Sequence, residues 1–329
     1  MLKKLLVPLD RSPLAAQAVD EAVALARAAH AAIDLVLVHQ PETMSGFGDT
    51  PWNAAQADDE YKYLDGLVED LDRTACVPIT RAVIQGEVVE MICQRARAVN
   101  ADLVVMTSHG RTGLSRAWLG SVANGILRHS TVPVLLLRPV NGGADAKAAH
   151  PLFKHILVPL DGSEFATDIL ACAVDMARCA DGRISLLRVV EPVPLMPFGA
   201  GPGMGLSYAP FAPDTVSTEL LVSDVQQQLA NVAQRLREQE DIEVDAHVVI
   251  GMVVAQTILD FAESHDVHLI AMSTHGRGVS RLILGSVADR LLRAGALPLL
   301  LHRPARASAV LGAASTPGAG QKTPSLAPA

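Results

Sequence analysis

Residues 106–123 read Met-Thr-Ser-His-Gly-Arg-Thr-Gly-Leu-Ser-Arg-Ala-Trp-Leu-Gly-Ser-Val-Ala, and residues 272–288 read Met-Ser-Thr-His-Gly-Arg-Gly-Val-Ser-Arg-Leu-Ile-Leu-Gly-Ser-Val-Ala. Each stretch follows an apolar run with the composition of a buried strand, residues 101–106 and 267–272. Each closes on a Gly-Ser pair, Gly120-Ser121 or Gly285-Ser286, that opens a helical pattern. A strand, a Gly-rich turn and a helix opening on Gly-Ser turn backbone N–H groups and the positive end of a helix dipole toward one point. The pattern predicts a phosphate cradle, written twice in one chain.

Working outward, the duplication extends over nearly the whole sequence. Val7-Pro8-Leu9-Asp10 returns as Val158-Pro159-Leu160-Asp161, 151 positions later, whereas Gly86 and Pro139 return as Gly251 and Pro304, 165 positions later. The second copy thus has 14 more residues than the first (165 against 151), and the Pro/Gly-rich run 191–213 reads as the loop that absorbs them.

In the first copy the hydrophobic pattern predicts strands at 4–9, 33–39, 78–84, 101–106 and 132–137. Helices fall at 13–31, with Ser12 as its cap, at 54–74 and 87–99, and after Gly120. The second copy repeats this with strands at 156–160, 184–190, 243–250, 267–272 and 297–301, and helices at 164–180, 215–240, 253–265 and 287–294. Apolar strands alternating with helices specify an α/β chain whose parallel sheets are covered on both faces. The expectation is two tandem doubly wound five-stranded sheets, Rossmann-like in strand order 3-2-1-4-5. The domains are 1–140 and 153–304, with a Gly/Ala linker at 141–152 and a disordered Ala/Pro/Ser/Gly-rich tail at 305–329.

Composition removes several classes of function. A chain of 329 residues, 50% hydrophobic, can bury a large core, while a formal net charge of −8 argues against a nucleic-acid footprint. No apolar run reaches the roughly 20 residues a membrane span needs. The short N-terminal run ends at Asp10 and reads as a first strand rather than a signal peptide. Cys76, Cys93, Cys172 and Cys179 form no CxxC pair and stand beside no His cluster at metal spacing, so they read as reduced thiols of a cytoplasmic protein.

In a doubly wound sheet the ligand crevice lies beyond the carboxyl ends of the strands, where the strand order reverses. That point falls between strands one and four. Asp10 would face Thr107-Ser108-His109-Gly110 there, and Asp161 would face Ser273-Thr274-His275-Gly276. A carboxylate at one side can accept hydrogen bonds from ribose hydroxyls. The turn amides, the Ser121 hydroxyl and Arg111 or Arg116 would hold phosphate, with Arg277 and Arg281 in the equivalent places. Each residue also has a plainer reading: Asp10 and Asp161 as turn or cap residues, the glycines as packing positions, the arginines as solvated charge, and His109 and His275 as loop hydrogen-bonders. No nucleophile with an orienting acid stands beside either His, and there is no Walker lysine motif or two-metal acidic cluster.

At these residues the chain resembles a tandem universal stress protein. Nucleotide-binding members of that family carry Gly-two-Gly-nine-Gly-Ser/Thr after strand four and Val-Pro-x-Asp at strand one. The first copy matches with Pro8, Asp10, Gly110, nine residues, then Gly120-Ser121, but has Thr107 for the leading glycine. The second has Pro159 and Asp161, Ser273 in the leading place, and only eight residues between Gly276 and Gly285. The resemblance implies adenine and ribose contacts at the Pro and Asp positions and a firmer site in the first copy. The candidate binding set in the first copy is Pro8, Asp10, Thr107, His109, Gly110, Arg111, Gly120, Ser121 and Val122. In the second it is Pro159, Asp161, Val189, Ser273, His275, Gly276, Arg277, Gly285, Ser286 and Val287. The implied ligand is ATP, with or without Mg²⁺, in a cytoplasmic stress-response regulator with no catalytic residue and no metal ligand. The family's terminal strand mediates dimer contact, which implies docking of the two halves and further self-association. Two other readings stay open: a nucleotide-independent interaction module and a slow ATP hydrolase.

Overall fold

The structure is a computed structural model and describes residues 1–40, 51–108, 119–138, 153–193, 214–274, 284–294 and 297–303. Its first half runs β1 (Lys4–Leu9), α1 (Pro13–Ala29), β2 (Ala32–His39), α2 (Pro51–Thr74), β3 (Ile79–Gln85), α3 (Val88–Ala98), β4 (Leu103–Thr107), α4 (Ser121–His129) and β5 (Val134–Leu137). The second runs β6 (His155–Pro159), α5 (Glu164–Thr167), α6 (Leu170–Ala180), β7 (Arg183–Val190), α7 (Thr215–Glu240), β8 (Glu243–Ile250), α8 (Val254–Ser264), β9 (Leu269–Ser273), α9 (Ser286–Ala294) and β10 (Leu299–His302).

Each half has the expected order, and the halves meet edge to edge as one ten-stranded sheet, β3-β2-β1-β4-β5-β10-β9-β6-β7-β8. Every pairing within a half is parallel, while β5 and β10 join antiparallel through Leu135↔Leu300 and its neighbours. The apolar terminal strands shield each other's open edges, which would otherwise template aggregation. Two arginines close the joint reciprocally. Arg138, just past β5, donates from Nη2 to Leu291 O at 3.2 Å and Leu292 O at 2.6 Å, carbonyls in the last turn of α9. Arg303, just past β10, donates to Arg128 O at the end of α4.

Strand alternation sorts the core into two layers. One face of the sheet packs against α1, α2, α6 and α7 through residues such as Leu25, Leu64, Val174 and Leu229. The other packs against α3, α4, α8 and α9 through Ile92, Ile126, Ile258 and Leu291. The helix expected at 164–180 is interrupted between α5 and α6. Thr167-Asp168-Ile169 holds weak helix formers where the first copy has Ala16-Gln17-Ala18. The expected linker and tail lie outside the described residues.

Candidate functional site

The two copies build the same split in the sheet, and a proline starts it. Lys4 O accepts from Asp102 N on the β4 side of β1, while Lys3 O accepts from Ala32 N on the β2 side. Backbone groups alternate along a strand, so Lys4, Leu6 and Pro8 all face β4. Pro8 has no N–H to give it. The β1–β4 ladder stops after Leu5↔Leu103 and Leu6↔Val104, although β1 stays paired with β2 as far as Leu9↔Leu37. In the second copy His155 O accepts from His268 N, so His155, Leu157 and Pro159 face β9. That ladder stops after Ile156↔Leu269 and Leu157↔Ile270, while β6–β7 pairing runs to Pro159↔Leu187.

Beyond each split the candidate residues come level. Asp10 and Ser108 lie equally far past the Leu6↔Val104 pair, and Asp161 and Thr274 equally far past Leu157↔Ile270. The outer side of β4 stays tied, since Ser108 N donates to Leu137 O at 2.9 Å, and Thr274 N donates to His302 O at 2.8 Å. Thr107 and Ser273 end their strands buried. By alternation Pro8, Pro159 and Val189 face the layer of the cradle helices, where Val189 packs.

The cradle helices are drawn onto these strand ends. Gly120 N donates to Ser108 O at 2.9 Å and Gly285 N to Thr274 O at 3.0 Å. A Cβ at Gly285 would stand 3.0 Å from that same carbonyl oxygen, so this close approach favours glycine. Asn124 N and Asp289 N close the first helical turns on Gly120 O and Gly285 O. The amides of Ser121, Val122 and Ala123, and of Ser286, Val287 and Ala288, therefore have no partner within their own helix. Gly120 supplies no capping side chain and α4 has no acidic residue in its first turn, whereas α9 has Asp289, held by Arg293 Nε at 2.9 Å. An anion meets a clear dipole at α4 and a competing carboxylate at α9.

The aspartates also shape their turns. Asp10 Oδ1 accepts from Ser12 N at 2.9 Å, and Ser12 Oγ accepts from Ala15 N at 3.1 Å to cap α1. Asp161 Oδ1 accepts from both Ser163 N at 2.9 Å and Ser163 Oγ at 2.6 Å. The residue between adopts a left-handed backbone in each copy, Arg11 at φ 64° and Gly162 at φ 78°. Burial, then the Asp10 carboxylate, raises the Tyr63 phenol above its usual pKa, with Arg11 opposing. Tyr63 is thus an electrostatic neighbour of Asp10 that no short sequence motif marked. His109, Gly110, Arg111, Arg116, His275, Gly276, Arg277 and Arg281 lie outside the described residues. Among the described residues, no group of three or more His, Cys, Asp or Glu side chains could hold a metal ion, and no helix is long and apolar enough to cross a membrane.

The sequence model of the universal stress protein family matches residues 1–138 and again 152–303. The chain belongs to the universal stress protein family. A universal stress protein of Methanocaldococcus jannaschii is 30% identical over 151 residues, 46% of this chain and 82% of the relative. One from Mycobacterium tuberculosis is 32% identical over 209 residues, and the match spans 62% of each chain. Among solved structures, a universal stress protein of Archaeoglobus fulgidus superposes with a TM-score of 0.66 at 20% identity, covering 91% of this chain and 98% of that one, which shows the shared fold. The duplicated cradle is therefore two universal stress protein units in series.

Proposed function

We propose that this universal stress protein binds an adenine nucleotide, ATP with or without Mg²⁺, across the strand split of one or both copies, and that occupancy biases its contacts with other proteins. The observation that carries the reading is the paired ladder break at Pro8 and Pro159, with an aspartate on one side and a glycine-opened helix on the other. In the first copy Asp10 accepts from the ribose hydroxyls and Pro8 flanks the base. The Ser121 and Val122 amides, with the Gly110–Gly120 turn that the family resemblance assigns, take the phosphates. Pro159, Val189, Asp161, Ser286 and Val287 do the same in the second. A bound Mg²⁺ would neutralise phosphate charge and needs no protein carboxylate cluster to do so. The proposed domains are residues 1–140 and 153–304, joined by 141–152 and followed by the tail 305–329, in a cytoplasmic, self-associating protein.

Mass spectrometry of gently purified protein should find co-purified adenine nucleotide. Stripped protein should melt higher with ATP and much less so with GTP. Ligand at 100-fold excess over Kd stabilises by about 2.7 kcal/mol. For a domain of this size that raises the midpoint by about 5–10 °C. The ATP-induced shift should shrink more in Asp10→Ala than in Asp161→Ala, each measured against its own ligand-free melt. A flat melt at millimolar ATP, from protein shown to carry no nucleotide, leaves the nucleotide-independent interaction module. Phosphate release measured with and without Mg²⁺ tests for slow hydrolysis.

A further inference from the structure

The ten-stranded sheet ends in β3 on one side and β8 on the other, and the duplication makes these edges controls for each other. Positions correspond at 165 residues' separation, and the buried pair Leu64 and Leu229 fixes the same register for α2 and α7. The β3 edge is guarded. Arg81 is ion-paired with Asp65 and lies over the Tyr61 ring at 5.9 Å, and the Tyr61 hydroxyl points to Val83 O at 3.5 Å. At these three places the second copy has Ala246, Ala230 and Gln226. The charge, its partner and the aromatic cover are all missing there.

The backbone of β8 is set for pairing. Gly251 N donates to Val190 O, so alternate residues facing the opposite way, Ala246, Val248 and Ile250, turn their N–H and C=O groups outward. Arg237 Nε takes Val244 O at 2.7 Å, which closes the edge toward its start and leaves residues 246–250 as the open stretch. A cavity of about 410 Å³ flanks this stretch on the α7 side, lined by Glu219, Gln226, Ala230 and Ile250. One of about 840 Å³ runs along the edge itself, from Gln226 of α7 across to the α8 side, lined by Val248, His247, Asp260 and Phe261 among others. Ile250 and Met252 stand 54% and 77% exposed at its end. Both linings carry a carboxylate and neither contains Lys or Arg.

We propose that the β8 edge is a docking site for an extended segment of a partner protein in which apolar residues alternate with Lys or Arg, added as a further strand. Backbone hydrogen bonds to 246–250 supply register, and the two cavities receive successive side chains from opposite faces. Alternation puts every basic residue on one face of the added strand, where the carboxylate of that lining selects them, and every apolar residue on the other. A second copy docked through its own β8 is a poor occupant, because that strand, Glu243–Ile250, has no Lys or Arg to meet these carboxylates.

The test uses the full chain and a fluorescein-labelled, end-capped heptapeptide of alternating valine and lysine, read by fluorescence anisotropy. Saturable binding is expected, weakened at least tenfold when the lysines become glutamates or when alternate amides are N-methylated. The triple variant Gln226→Tyr, Ala230→Asp, Ala246→Arg installs residues the first copy already accommodates, and should weaken binding at least tenfold with an unchanged melting midpoint. Ala246→Arg alone serves if the triple variant is unstable. Absence of saturable binding to the wild type, equal binding by the guarded variant or equal binding of the glutamate peptide overturns the proposal. So does a sedimentation result in which the wild type dimerises and the guarded variant does not, which gives the edge to a second copy. Binding that appears only after residues 304–329 are removed gives it to the chain's own tail.

Discussion

Glu21 sits on α1 among Ala18, Ala22 and Leu25 with only 2% of its surface exposed, and its Oε1 has no hydrogen-bond partner. Desolvation, with a smaller push from Asp20, raises its pKa from 4.5 to about 7. The folded state therefore keeps the proton over a pH range in which the unfolded chain has released it. This favours folding fully below pH 4.5, and the contribution is lost as pH rises toward 7. At 1.36 kcal/mol per pH unit, the loss over that interval amounts to about 3 kcal/mol. Glu21→Gln keeps the shape and removes the titration. Wild type and variant should be equally stable near pH 4.5, and the variant should gain progressively to about 3 kcal/mol by pH 8. Urea unfolding of both proteins at half-unit steps of pH gives the difference directly. Desolvation lowers the pKa values of His155, His247 and His302, but these imidazoles are common to both proteins and cancel. Parallel stability curves, with a difference that does not change from pH 4.5 to 8, would refute the assignment of a protonated Glu21.

Two other expectations are quickly checked. Gly120→Glu should abolish more of the ATP affinity measured by calorimetry than Gly285→Glu, because α4 lacks the competing first-turn carboxylate that α9 has in Asp289; equal losses, or loss only from Gly285→Glu, reject the ranking. Arg138→Met keeps the aliphatic stem but removes the guanidinium that donates to Leu291 O and Leu292 O, and should cost about 2–3 kcal/mol in urea unfolding; a loss under about 0.5 kcal/mol would make the clamp ornamental.

The repeat, the strand order and the switch point were legible because apolar period and glycine spacing are local in sequence. The sheet's continuity was legible only in part. The apolar runs ending at Leu137 and Leu301 demanded cover, but their antiparallel join depends on Arg138 and Arg303 reaching carbonyls more than 150 residues away. Pro8 and Pro159 were read as ligand contacts, whereas their missing N–H also ends a ladder, and which side it faces follows only from the neighbouring strand. Glu21 left a sequence signal in its place on an apolar helical stripe, but burial with no partner is a property of packing. The guard on β3 was invisible because Tyr61, Asp65 and Arg81 look like ordinary surface residues until α2 is laid beside the edge.

A dimer of identical halves repeats every surface feature twice, so an unguarded sheet edge at one end implies another at the far end. Copies could then add on without limit, as they do in fibres. Joining the halves through β5 and β10 within one chain removes that constraint. Their contact no longer weakens on dilution, because the tether holds the partners at a fixed, high effective concentration. Each half is then free to diverge, so one end can keep its guard while the other loses it. Growth in that arrangement stops after a single added strand.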